Sequence, residues 1–110
     1  MGNGNREGRR ETDIQQSIRC ALSEYGIVVR MQSGVFYTGQ GVPVRIGFPG
    51  MSDLMLIGQD GRVSFIEVKS RTGRVSTEQA RFIEVVRGMG YRAGVARSVE
   101  EAVRIVTGGS

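Results

Sequence analysis

Asp53 and Glu67 are separated by thirteen residues, and Glu67 is followed two positions later by Lys69, the single lysine in a chain that carries fourteen arginines. Two carboxylates offer hard oxygen ligands that suit Mg²⁺ or Mn²⁺, ions that keep several positions open for water and phosphate. Lysine has a use at such a site that arginine serves poorly. Its compact ammonium orients a water or helps deprotonate it, whereas a guanidinium hardly ever releases a proton. The other reading of Glu67-Val68-Lys69 is an exposed pair where a strand meets solvent. The upstream Asp53, the turn before it at Pro49-Gly50 and the absence of any second lysine favour the metal site.

The two carboxylates must be brought together by the segments that carry them. Leu54-Met55-Leu56-Ile57 and Val63-Ser64-Phe65-Ile66 flank Gly58-Gln59-Asp60-Gly61, whose Asp-Gly pair signals a hairpin. A three-residue loop, Gln59-Asp60-Gly61, with Gly61 left-handed would set Gly58 against Arg62 and Asp53 against Glu67. Opposed residues share a sheet face with Cβ atoms about 5 Å apart, while a two-residue loop would break the match. Alternation puts Val63, Phe65, Glu67 and Lys69 on one face of the second strand. Two carboxylates at the end of an apolar face repel each other and resist ionisation, and a bridging cation would relieve both costs.

Other elements follow from periodicity. Ile14, Ile18, Ala21, Leu22 and Tyr25 recur at helical spacing, with Thr12 and Gln15 as a capping box and Gly26 as a stop. The first ten residues offer almost nothing to bury and are expected to form a mobile basic arm. Strands are expected at Ile27–Met31, at Val35-Phe36-Tyr37 within the glycine-rich stretch 33–41, and at Tyr91–Ala96. Val42–Phe48 reads as partly extended. A second helix spans about Thr77–Arg87, capped by Ser76 with Gln79, with an inward stripe of Ile83, Val86 and either Phe82 or Met89. A last helix begins at Ser98 and turns Val99, Ala102, Val103 and Val106 inward. Gly108-Gly109-Ser110 reads as a disordered tail. The order predicts an α/β fold, one mixed sheet flanked by helices.

Three further groups have two readings each. Glu11 lies over Ile18 at the start of the first helix, where it could serve a second metal or the water shell of the first, or simply reflect the preference of acids for helix N-termini. Gln79 closes a capping box or reaches the active centre. Arg71, Arg74 and Arg81, with Arg9 and Arg10 of the arm, either hold a nucleic-acid backbone or are solvated surface.

Composition narrows the chemistry. A chain of 110 residues makes one domain, residues 11–107, and removes roughly two-thirds of its unfolded surface from water. The absence of histidine excludes histidine triads and histidine-based zinc hydrolysis, and one cysteine, Cys20, allows no intramolecular disulfide. A net charge of +4, carried by arginine, favours a polyanionic partner. With no apolar run long enough to span a membrane and no signal peptide, the expected location is the cytoplasm.

Glu11 with Ile14-Gln15, Gln32-Ser33-Gly34, Gly50-Met51-Ser52-Asp53-Leu54, Ile66-Glu67-Val68-Lys69, Gly73-Arg74-Val75-Ser76 and Gln79 together resemble the virus-type replication-repair nuclease domain, VRR-NUC, of the PD-(D/E)xK superfamily. The resemblance implies a restriction-endonuclease-like fold, order α-β-β-β-α-β-α, and Mg²⁺- or Mn²⁺-dependent cleavage of DNA. It implies Asp53, Glu67 and the Val68 carbonyl as metal ligands and Lys69 as the group acting on water, with Glu11 and Gln79 at motif positions. Ser52 departs from the superfamily's proline, which is structural. Compact members resembling this chain occur in phages and bacteria as homodimers acting on branched DNA such as four-way junctions. A DNA-binding module of the same fold that does not cut, and a small assembly protein with an incidental acidic cluster, are the alternatives.

Overall fold

A computed structural model describes residues 3–31, 34–46 and 50–109, with side chains for 10–31, 37–43 and 50–109. The elements are α1 (Asn3–Leu22), β1 (Gly26–Arg30), β2 (Gly34–Tyr37), β3 (Pro43–Ile46), β4 (Leu54–Gly58), β5 (Val63–Val68), α2 (Thr77–Gly88), β6 (Arg92–Ala96) and α3 (Val99–Thr107). The main sheet has the order β1-β4-β5-β6, antiparallel except for the parallel β5–β6 pair. Its elements follow α1-β1-β4-β5-α2-β6-α3, the expected restriction-endonuclease-like α/β order. Between β1 and β4 the chain inserts a separate two-stranded sheet, β2 paired with β3. The expected strand at 35–37 belongs to it. Gln32-Ser33 and Gly47-Phe48-Pro49 lie outside the described residues.

The tight turn between β4 and β5 sets the register on which the site depends. Leu54 pairs with Ile66 and Ile57 with Val63. The Gly58 N–H donates to the Arg62 carbonyl at 2.8 Å and the Gly61 N–H to the Gly58 carbonyl at 3.0 Å. Gly61 holds φ 82°, a left-handed conformation that costs a glycine nothing in sterics. The loop is therefore Gln59-Asp60-Gly61, as the sequence predicts. One step beyond Leu54–Ile66, Asp53 faces Glu67.

Alternation along these strands divides the interior in two. Leu54, Leu56, Ile66 and Val68 meet Ile18 and Leu22 of α1 and Ala102 and Val106 of α3. Each buried leucine, isoleucine or valine among them contributes about 1.5–3 kcal/mol through the water it excludes. On the opposite face Phe65, Ala93 and Val95 pack against Phe82, Ile83 and Val86 of α2. Phe82 completes the inward stripe, and Met89 is exposed. Among the described residues no helix is long and apolar enough to cross a membrane.

Both ends of the chain are more regular than expected. The helix α1 starts at Asn3, so the described part of the anticipated arm is helical and Thr12 lies inside the helix instead of capping it. Once Ile14, Ile18 and Leu22 are anchored, the nucleation cost is met and each added residue gains a hydrogen bond cheaply. At the other end Gly108 and Gly109 close α3, the Gly109 N–H donating to the Arg104 carbonyl at 2.9 Å. These two residues belong to the helix terminus, not to a loose tail.

Candidate metal centre

Asp53 is held by three elements. Its carbonyl accepts the Met31 N–H at 2.8 Å, tying it to the end of β1. Its Oδ2 accepts the Val68 N–H at 2.9 Å, tying it to β5. Upstream, Gly50 has φ 85° and lies so close to the first turn of α2 that a Cβ would overlap the Glu78 carbonyl. The segment Gly50–Asp53 is thus seated on the helix that follows β5. Ser52, in the superfamily's proline position, is buried with an Oγ that has no hydrogen-bond partner.

Glu67 is only 2% exposed, an unusual place for a carboxylate. Its Oε2 accepts the Gln79 amide N–H at 2.9 Å and lies 3.5 Å from Lys69 Nζ. Its Oε1 is buried with no partner. Burial, reinforced by the nearby charge of Asp53 and only partly offset by Lys69, pushes the Glu67 carboxyl up to about 8. Without a cation, ionising Glu67 at neutral pH is therefore costly.

Gln79 closes the capping box and touches Glu67 at the same time. Its Oε1 accepts the Ser76 N–H at 2.9 Å while Ser76 Oγ accepts the Gln79 N–H at 3.1 Å, a complete capping box. With its oxygen committed to the cap, its nitrogen must face Glu67. The helix terminus and the carboxylate are coupled through one side chain.

Of the cationic residues, Arg71 and Arg74 are exposed in the stretch after Lys69, and Arg81 is exposed one turn beyond the start of α2. Arg10 is exposed on α1, and the side chain of Arg9 lies outside the described residues. Glu11 is also on α1, which packs against the sheet face opposite to that of Glu67. Among the described residues no three of His, Cys, Asp or Glu group to hold a metal, so Glu11 does not join Asp53 and Glu67. The alternation that aims Ile66 and Val68 at α1 aims Glu67 away from it.

Sequence reasoning missed Arg97. It follows β6, and its Nη1 donates to the carbonyls of Ser70 at 2.6 Å and Gly73 at 2.7 Å, closing the turn after Lys69. Nothing in local spacing marks it, because its partners lie 24–27 residues away.

The donors fit a hard divalent cation. The pair supplies two carboxylates, one with an orphaned buried oxygen, and an adjacent strand peptide at Val68; Mg²⁺ and Mn²⁺ accept so few protein oxygens because water completes their shell. A third carboxylate is not required.

Comparison with known proteins bears on the family and the fold. A solved structure described as a VRR_NUC domain superposes with a TM-score of 0.64 at 22% identity, covering 89% of this chain and 95% of the other. No curated protein matches the chain. A sequence model of the VRR-NUC domain matches residues 43–100, more than half of the chain and the span that contains Asp53, Glu67, Lys69 and Gln79. The chain belongs to the VRR-NUC domain family, within the PD-(D/E)xK nuclease superfamily.

Proposed function

We propose that the chain is a Mg²⁺- or Mn²⁺-dependent endodeoxyribonuclease that hydrolyses phosphodiester bonds in branched DNA, in the replication, recombination or repair of a phage or bacterium. The observation that carries this reading is the buried, unpartnered Oε1 of Glu67 beside the Asp53 carboxylate. A buried acceptor without a donor costs about 1–3 kcal/mol, a cost that a coordinated cation removes. When bound by Asp53, Glu67 and the Val68 carbonyl, the ion would supply an activated water and offset charge on the phosphate.

The chain's own groups do the rest. Gln79 fixes one oxygen of Glu67 and so the orientation of the other. Lys69 places an ammonium beside the carboxylates, where it orients the attacking water and balances charge developing on phosphate. Arg71, Arg74 and Arg81 hold the DNA backbone. Glu11, which α1 carries on the far face of the sheet, is given no part in holding the metal or its water.

An exposed apolar face supports a homodimer. Ile27 and Ile57 stand opposite each other on the sheet face that α2 leaves open, 64% and 43% exposed. Ile57 pairs with Val63, which lines a groove together with Met31, Met51, Phe65, Val85, Met89 and Tyr91, and among the described residues none of that lining is charged. Such a surface does not suit a polyanion, and a two-fold axis matches it against itself. Two copies would place one active centre on each of two strands.

Labelled four-way junction, flap and linear duplex, each incubated with Mg²⁺, Mn²⁺ or EDTA, test the proposal. Metal-dependent cleavage with preference for the branched substrates is expected. Binding of all three with no cleavage under any condition would favour the non-catalytic DNA-binding module.

A further inference from the structure

We propose that Arg97 is a positioning residue that acts through Lys69, by clamping the turn that backs the lysine side chain. The inference rests on the reading of Lys69 as the group acting on water. Three observations carry it. The parallel β5–β6 ladder pairs Val68 with Ala96, and the Lys69 N–H donates to the Ala96 carbonyl at 3.1 Å, so Arg97 is the register neighbour of Lys69 one step on. The chain then folds back through a turn in which the Gly73 N–H donates to the Ser70 carbonyl at 3.2 Å. Across the mouth of this turn, Arg97 Nη1 bridges the carbonyls of Ser70 and Gly73 and lies 3.4 Å from that of Arg71.

The folded turn returns Gly73 to the lysine. A Cβ on Gly73 would stand 3.5 Å from Lys69 Cδ and 3.0 Å from Ser70 Oγ, so the Gly73 backbone forms one wall of the space occupied by the lysine stem. The Ser70 carbonyl takes both the Gly73 N–H and Arg97 Nη1, and the Gly73 carbonyl takes the same Nη1, so one guanidinium nitrogen joins the two ends of the turn. A guanidinium holds them because it is planar, always charged and rich in donors. Arg97 is itself fixed at its backbone, where its N–H donates to Glu101 Oε1 at 2.7 Å at the start of α3. Rigidity therefore passes from the α3 cap through Arg97 and the turn to the stem of Lys69. A flexible four-carbon side chain needs such a wall if its ammonium is to stay beside Glu67.

The single lysine makes the test direct. With ¹³C-labelled lysine, the protein gives one side-chain Cε signal, whose relaxation reports the motion of Lys69. In Arg97→Met that motion is expected to approach that of a free side chain, with circular dichroism and thermal midpoint showing a folded protein. The same variant should lose about tenfold or more in kcat, because small misplacements are costly, while KM and Mg²⁺ affinity stay within about twofold of wild type. Arg97→Lys keeps the charge without the planar fork and should lie between the two in both readouts; it also serves where Arg97→Met is too unstable to study. If Lys69 keeps its wild-type relaxation in both variants, the proposal is overturned, even where cleavage falls. If the wild-type protein cuts no DNA, the nuclease reading fails while the relaxation measurement still decides whether Arg97 restrains Lys69.

Discussion

Gln79 Nε2 donates to Glu67 Oε2 at 2.9 Å while Gln79 Oε1 accepts the Ser76 N–H, so one amide ties the N-terminus of α2 to the buried carboxylate of the site. Metal ligands are oriented by such outer contacts, and the loss of one typically costs metal affinity or rate.

Gln79→Ala breaks both bonds. Stability should fall by about 0.5–1.5 kcal/mol through the lost bond to the Ser76 N–H, and cleavage should fall by about tenfold to a hundredfold through the freed Glu67. Gln79→Glu separates the two roles, since a carboxylate still accepts the Ser76 N–H but offers Glu67 no donor when ionised. Urea unfolding and cleavage rates on the two variants check this: a Gln79→Glu protein that retains the helix cap yet loses activity is the expected result.

Lys69→Arg keeps a positive charge at the site and should leave DNA binding intact. Cleavage should drop by about a hundredfold or more, the usual scale for losing a group that handles protons. Gel-shift affinity and single-turnover cleavage on the same junction distinguish the two effects. A Lys69→Arg protein that cuts at the wild-type rate would remove any role for the single lysine beyond charge.

The raised Glu67 pKa predicts how stability depends on pH in metal-free protein. The carboxyl is pushed from an ordinary value of 4.5 up to about 8 in the folded state. Its folded pKa lies above its unfolded one, so the native state binds the extra proton throughout this window. Stability should therefore decline as pH rises from about 4.5 to about 8, by up to about 1.4 kcal/mol per pH unit for one proton. Mg²⁺ should reverse the trend, releasing a proton on binding and raising the thermal midpoint most near the upper end of the window. Glu67→Gln should flatten the metal-free profile. Thermal melts across pH, with and without Mg²⁺, measure all three, and a metal-free profile rising with pH in this window would contradict the assignment.

A charge placed on the open apolar face should separate two copies. Ile57→Arg or Val85→Asp alters residues that are 43% and 49% exposed, so the monomer fold should lose little. Sedimentation is expected to show a dimer for the wild type and a monomer for either variant. A monomeric wild type at micromolar concentration would remove the homodimer from the proposal.

Much of this was legible without coordinates because it depends on local rules. An Asp-Gly loop of three residues fixes a hairpin register, and period-two alternation then decides that Asp53, Glu67 and Lys69 share a face and an end of the sheet. Ser76 and Gln79 announce a helix start immediately after them. These inferences need only neighbours in sequence or across one tight turn. Long-range packing decided the rest. Whether α1 lies on the Glu67 face or behind it is a matter of layer order, which local periodicity does not encode, and so Glu11 was expected nearer the pair than it is. The length of α1 was set by anchoring its apolar stripe, not by the poor helix propensity of its first turns. Arg97 was invisible for the same reason. Its role exists only because a parallel crossover through α2 returns the chain to β5, bringing a guanidinium to carbonyls more than twenty residues back along the chain. The sequence by itself determined which groups could do chemistry and which two strands carry them; the tertiary structure decided what surrounds them, because burial and the facing of layers are properties of elements distant in the chain.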